Sequence, residues 1–93
     1  MEIAKNFSKM LIEQKLVACV NLITNILSIY RWQGTIVEEK EVIFWAKTQE
    51  TKIEPIYELL RINHPYELPA FVIYPIKSGS EPYLSWLMAE TSP

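Results

Sequence analysis

The sequence predicts a small α+β domain in which helices pack on an antiparallel sheet. Segments whose apolar residues recur with the helical period of about 3.6 alternate along the chain with short β-branched runs, which are typical of buried strands. The dipeptide Gln33-Gly34 separates two long apolar runs and is a typical hairpin turn. Because the chain has 93 residues, we expect a single domain over residues 1–93.

The first helix is indicated by an apolar stripe at Ile3, Phe7, Met10 and Leu11. A second helix ends near Asn63, since a proline disfavours helical conformation in the residue before it. Its start stays open, because either Thr51 or Glu54 is a plausible cap residue. The full prediction comprises helices over 2–15, 52–62 and 82–89 and strands over 16–23, 27–32, 35–47 and 70–76, with a break at Thr24-Asn25.

The second arm of the hairpin is apolar on both faces of the sheet. Val42, Phe44 and Ala46 fall on one face, whereas Ile43 and Trp45 fall on the other. Residues 71–74 show the same pattern. Three short helices cannot cover both faces, so we expect a second copy of the chain to cover one of them.

The predicted order of elements is α-β-β-α-β-α. One further strand in front would give β-α-β-β-α-β with an added C-terminal helix, which is the ferredoxin-like split βαβ arrangement. The sequence therefore predicts a ferredoxin-like α+β fold whose first strand is missing from these residues.

Composition excludes several classes of function. A net charge of −2 without a basic block argues against binding to nucleic acid or anionic lipid. The sequence has no aspartate and only two glycines, so it contains neither an EF-hand loop nor a P-loop motif. A single cysteine, Cys19, indicates a reducing cytoplasm, and no apolar run approaches the roughly 20 residues that span a bilayer.

Short segments spread over nearly the whole chain resemble the CutA divalent-cation tolerance family, in family order. Each is weak evidence alone, but together at these spacings they are specific. They are residues 14–21 (QKLVACVN), 28–34 (SIYRWQG), 39–42 (EKEV), 46–48 (AKT), 64–69 (HPYELP) and 83–87 (YLSWL).

This resemblance implies a cytoplasmic homotrimer, similar in shape to the PII signalling proteins. It implies a role in tolerance of copper and other divalent cations, rather than an enzymatic activity. It also allows an unidentified protein partner. Consistently, no nucleophile in the sequence lies beside an obvious base, and no aspartate is present to orient the single histidine.

The chain departs from the family at its start, which falls inside the first helix. The family has an apolar strand and a polar loop before that helix. A ferredoxin-like sheet without its central strand loses many hydrogen bonds. Three explanations of the missing strand are open. The true start lies upstream, the strand is supplied by another chain or by rearrangement, or the product is a marginal truncated domain. We expect an upstream start, so that residues 1–93 are an N-terminally truncated CutA-like domain.

His64 and Cys19 are the candidate metal ligands. A neutral imidazole and a soft thiolate both suit copper. The alternatives are a structural histidine bonded to the backbone and a buried, inert strand cysteine. The run Glu38-Glu39-Lys40-Glu41 either supplies oxygen ligands to hard cations or is a solvated strand edge.

An aromatic set could line a cleft between subunits, with Lys47 and His64 as polar groups. The alternative is ordinary interface packing, in which tyrosine and tryptophan are enriched. The cleft would support a second function, that of a PII-like sensor or scaffold that binds a small molecule and signals to a protein partner. The set consists of Tyr30, Trp32, Tyr66, Tyr83 and Trp86.

Overall fold

The computed structural model describes residues 1–63 and 70–93 and shows an α+β architecture. In this part of the chain a two-stranded antiparallel sheet is accompanied by three α-helices. The elements are α1 (Glu2–Glu13), β1 (Cys19–Trp32), β2 (Thr35–Lys47), a 3₁₀ turn (Glu50–Lys52), α2 (Ile53–Asn63) and α3 (Glu81–Glu90).

The hairpin of β1 and β2 is the longest feature of the molecule. Its register runs from the pair Cys19 and Lys47 at the base to Trp32 and Thr35 beside the turn. The two turn residues, Gln33 and Gly34, have φ angles of 49° and 81°. Positive φ at both central positions is the type I′ geometry, which matches the twist of paired strands. The predicted hairpin and turn are confirmed.

The predicted break at Thr24-Asn25 was wrong, because β1 continues through it as one strand. The register shifts between Ile23 and Ile26, where Thr24 and Asn25 together lie opposite Val42. Asn25 adopts a φ of 60°, a conformation that asparagine tolerates better than most residues. The turn-forming residues thus make a β-bulge rather than a strand end.

Helix α1 ends at Glu13, two residues before the predicted end. Lys15 has a left-handed φ of 59°, and its amide donates to the carbonyl of Ile12 at 3.0 Å. The amide of Leu16 donates to the carbonyl of Leu11 at 2.9 Å. This pair of bonds is a Schellman motif, which ends the helix and delays the start of β1 to Cys19 rather than residue 16.

The core lies where α1 and α2 meet one face of the hairpin. Leu11, Val17 and Ile56 are buried together, and Phe44 and Ala46 of β2 pack against them. Ile3, which was predicted to face the core, is 73% exposed. The buried part of the α1 stripe therefore begins one turn later than its periodicity predicts.

The predicted strand over residues 70–76 is not present as a strand, since no residue from 70 to 80 has regular secondary structure. Phe71 packs against the core and against the ring of Tyr57, with centroids 4.9 Å apart. Tyr74 stacks on Trp45 of β2 at 5.7 Å. Side-chain contacts therefore hold this segment beside β2, while no strand among the described residues pairs with its backbone.

The other helices start and end close to their predicted limits. A 3₁₀ turn, Glu50–Lys52, precedes α2, so Thr51 and Glu54 both lie inside helical turns. Helix α3 extends the predicted range by one residue at each end and has a proline in its first turn, where a missing amide costs nothing.

We expect Lys15→Gly to stabilise the protein by about 1 kcal/mol, because glycine adopts a left-handed conformation without steric cost. The matched control is Lys9→Gly, an exposed position within α1. It should destabilise the protein by about 1 kcal/mol, since glycine lowers helix propensity. Urea unfolding of both variants measures the two effects. Destabilisation by both substitutions would contradict the assigned role of Lys15.

Candidate functional site

The base of the hairpin brings a lysine, an asparagine and the cysteine together. Cys19 and Lys47 are partners in the register, and Asn21 follows Cys19 on the same face of the sheet. The Lys47 Nζ donates to Asn21 Oδ1 at 2.6 Å and lies 4.0 Å from Cys19 Sγ. The Cys19 thiol in turn faces Asn21 Oδ1 at 3.9 Å.

This arrangement disfavours a cation bound at Cys19 in a single chain. The ammonium group of Lys47 lies close to the sulfur and would repel a metal ion there. A cation at this position requires Lys47 to move away and additional ligands to approach. Among residues 1–63 and 70–93, no three histidine, cysteine, aspartate or glutamate side chains are close enough to hold a metal ion.

Two of the predicted site residues, His64 and Tyr66, lie outside the described residues. Their predicted roles, as a metal ligand and as a member of the aromatic set, stay predictions.

The acidic run of β2 is spread over both faces of the hairpin. Glu38 is paired with Ile29, Glu39 with Ser28 and Glu41 with Ile26. Successive side chains of a strand point to opposite faces, so the three carboxylates do not converge on one point. This geometry favours a charged strand edge over an oxygen-ligand site.

The described members of the aromatic set are not brought together within one chain. Tyr83 and Trp86 contact each other on α3, with ring centroids 5.6 Å apart. Trp32, however, lies beside the turn, whereas Lys47 lies at the base of the hairpin. Twelve residues of strand separate the turn from Lys47, a distance of about 40 Å. Trp32 and Lys47 can line one cleft only if different subunits contribute them.

A small depression of about 240 Å³ occurs elsewhere, between α2 and the segment that comes after it. Ile53, Glu54, Tyr57 and Phe71 line it, and none of these belongs to the predicted aromatic set.

No helix in the described part of the chain is long and apolar enough to cross a membrane.

Sequence reasoning missed the link that fixes the end of α3 beside β2. Gln49, two residues after β2, donates from Nε2 to the carbonyl and hydroxyl oxygens of Thr91 at 3.1 and 2.8 Å. The buried Thr91 hydroxyl also donates to the carbonyl of Leu87 at 2.9 Å. Nothing in the sequence near Gln49 or Thr91 signals a contact over such a separation.

Asn21 was missed as well, although a signal for it existed. It is the polar residue two positions after Cys19 in an otherwise apolar run. The period of a strand places it on the face of Cys19, where it accepts the bond from Lys47.

The family model of the CutA1 divalent ion tolerance protein matches residues 1–90 of this chain. The chain belongs to the CutA family. A "Divalent-cation tolerance protein CutA" from Thermus thermophilus is 40% identical over 90 residues, covering 97% of this chain and 87% of the relative. A CutA homolog from Xenopus laevis is 42% identical over 85 residues, covering 91% of this chain. The chain spans 56% of that relative's length.

Solved CutA structures share the fold of this chain. The structure of the divalent cation tolerance protein from Thermus thermophilus superposes with a TM-score of 0.94 at 40% identity. The match covers 98% of this chain and 88% of that one. The predicted CutA membership and the ferredoxin-like fold class are thereby confirmed.

We expect Thr91→Val to lower the free energy of unfolding by about 1–3 kcal/mol, because a buried hydroxyl leaves its partners unsatisfied when it is removed. Ser92→Ala is the matched control, since its hydroxyl bonds to Met88 at an exposed position. Chemical denaturation should show a loss of no more than about 0.5 kcal/mol for this control. Equal losses in the two variants would contradict a specific role for Thr91.

Proposed function

We propose that this chain is a subunit of a non-enzymatic, cytoplasmic homotrimer that acts in divalent-cation tolerance. Its membership of the CutA family carries this proposal, together with the named function of the Thermus thermophilus relative. The proposal includes weak binding of copper or another divalent cation through His64, with Cys19 as a further ligand. In this proposal residues 1–93 form one domain.

The apolar surface of the hairpin supports the assembly. Leu27 and Ile29 are 56% and 62% exposed, and Ile36 on the opposite strand is also exposed. Trp45 is exposed at the base. Apolar side chains along so much of one hairpin are typical of a surface that is buried between subunits. By the register, Leu27, Ile29 and Ile36 lie on the face of Phe44 and Ala46, further toward the turn. Trp45 lies on the opposite face. Packing against other subunits would cover both of these exposed regions.

A trimer would also change the chemistry at the metal ligands. One histidine and one cysteine per chain do not form a closed site. Three copies around an axis could supply equivalent ligands or add glutamates from neighbouring subunits. The position of Lys47 beside Cys19 supports His64 as the main ligand, because the ammonium group repels a cation at the sulfur.

A PII-like sensor or scaffold is the second candidate function. The hydrogen bond from Lys47 to Asn21 favours this function, because it places the cationic Lys47 donor on an open face of the hairpin, beside the exposed ring of Trp45. A small anionic molecule held between subunits could replace Asn21 as the acceptor. Such a protein would pass its ligand state to a protein partner.

We expect Ile29→Glu to dissociate the trimer, because three carboxylates would lose their hydration at the interface. Native mass spectrometry should then show monomers, while the unmodified chain gives trimers. The matched control is Ile3→Glu on α1, another exposed isoleucine, which should leave the trimer intact. A monomeric unmodified chain at micromolar concentration would refute the proposed assembly.

We expect His64→Ala to weaken copper binding by about tenfold or more and to leave the trimer intact, because the main ligand is lost. Isothermal titration calorimetry with copper measures the affinity. Cys19→Ser should have a smaller effect, since the thiol is only a further ligand. An unchanged copper isotherm for His64→Ala would remove His64 from the site.

A further inference from the structure

Lys47 is a cation whose hydrogen-bond partner on the open face of the hairpin is neutral. Its Nζ donates to the amide oxygen of Asn21 at 2.6 Å, and no ion pair among the described residues includes Lys47. An ammonium group carries three donor hydrogens, so donors remain after this bond is made. The charge that repels a metal ion from Cys19 would attract an anion to the same place.

The side-chain amide of Asn21 adds a second donor beside this cation. Its Oδ1 accepts from Lys47, whereas its Nδ2 has no partner in residues 1–63 and 70–93. The amide can turn about its last side-chain bond, which exchanges the positions of the oxygen and the nitrogen. If an anion replaced Oδ1 on Lys47, the turned amide could donate to that anion as well. An ammonium and an amide side by side fit the two oxygens of a carboxylate.

The charges on this face of the hairpin match a ligand with a single negative charge. By the register, Lys47 shares the face with Glu41 and Glu39, whereas Arg31 and Lys40 lie on the other face. Lys47 is therefore the one basic residue on this face of the hairpin. A second negative charge on the ligand would have no cation to pair with, and it would lose hydration without compensation.

Between Lys47 and the two glutamates, the same face is apolar. Trp45 lies directly opposite Asn21 in the register. The next pair toward the turn on this face is Ile23 with Ile43. All three apolar side chains are exposed. From the Asn21 pair to the Ile23 pair the distance is about 7 Å, which fits one aromatic ring on a short chain. Such a ring can also pack against the indole of Trp45.

These groups are positioned by the pairing of β1 with β2. Asn21 and Ile23 belong to β1, and Lys47 and Ile43 belong to β2. Their register is set by hydrogen bonds within the hairpin. The surface they form therefore spans two paired strands, and it does not depend on the outer edge of β2.

We propose that Lys47 and Asn21 bind the carboxylate of a small aromatic monocarboxylate. Its ring lies on the apolar patch of Trp45, Ile23 and Ile43. This inference rests on the second candidate function, that of a small-molecule sensor, and names the chemical class of its ligand. An apolar lining with a few polar groups is the usual composition of a small-molecule site. A neighbouring subunit packed on this face would cover the ring.

The test uses the complete chain, labelled with ¹⁵N, and 3-phenylpropionate as the probe. An NMR titration at neutral pH follows the backbone amides and the side-chain amide of Asn21. We expect saturable shifts in residues 19–23 and 43–47 and none in α3. The neutral control 3-phenylpropionamide keeps the ring and the chain, and we expect it to bind about tenfold more weakly or worse. Equal affinity of the two compounds would show that the ring alone binds, and would overturn the proposal.

Two substitutions test the polar groups. Lys47→Met removes the charge and keeps an apolar side chain, whereas Asn21→Asp supplies a carboxylate from the chain itself, which would pair with Lys47. We expect each to weaken binding of 3-phenylpropionate by about tenfold or more. The matched control is Lys9→Met on α1, an exposed position, which changes the net charge equally and should leave the affinity unchanged. Unchanged binding in Lys47→Met, or an equal loss in Lys9→Met, would overturn the proposal.

A dicarboxylate tests the single charge. In 4-(2-carboxyethyl)benzoate the second carboxylate lies at the far end of the ring, toward Glu41 and away from Lys47. We expect this compound to bind about fivefold more weakly than 3-phenylpropionate or worse, because the second charge has no cationic partner. Equal or tighter binding would overturn the assignment of a monocarboxylate.

Phenyl phosphate separates failure of the ligand class from failure of the sensor function. Shifts near Lys47 with phenyl phosphate, but none with 3-phenylpropionate, would overturn the carboxylate class and leave an anion sensor in place. An absence of shifts near Lys47 with both compounds would overturn the site and the second candidate function together.

Discussion

The burial of Leu11, Val17 and Ile56 against one face of the hairpin is the interaction on which this structure depends. It joins α1, the turn before β1 and α2 to the sheet. It also holds Phe71, and with it the segment that runs beside β2. Since the core occupies one face only, the opposite face of the hairpin is left with exposed apolar side chains. The core covers only the base of its own face as well, since Leu27, Ile29 and Ile36 are exposed on that face toward the turn. The proposed assembly depends on both of these exposed regions.

Local rules predicted the elements whose stabilising interactions lie within the element. The type I′ turn at Gln33-Gly34 and the first turn of α3 depend on the conformations of neighbouring residues, so the sequence predicts them well. The end of α1 escaped prediction because a lysine, rather than a glycine, takes the left-handed position. The segment 70–76 has the composition of a strand, but composition cannot supply a hydrogen-bonding partner.

The candidate site, too, was predictable where it depends on local patterns and not where it depends on distant contacts. The period of a strand was sufficient to place Cys19 and Lys47 within the hairpin, but their pairing depends on the register across the bulge. The bond between Gln49 and Thr91 joins residues 42 positions apart, and no local pattern predicts it. The order of elements predicted the fold class, and the resemblance to the CutA family predicted the family. The roles of individual residues depend on contacts between distant parts of the fold, which local patterns do not contain.

The bulge at Thr24 and Asn25 has a consequence for how this hairpin can change in length. Because two residues lie opposite one, the bulge exchanges the odd and even positions of β1 between the two faces. Deleting one of the two would turn every later side chain of β1, Tyr30 and Trp32 included, to the opposite face. Both bulge residues are exposed. The length of this stretch is therefore constrained more tightly than the identity of its side chains, and natural variation here should consist of substitutions rather than insertions or deletions.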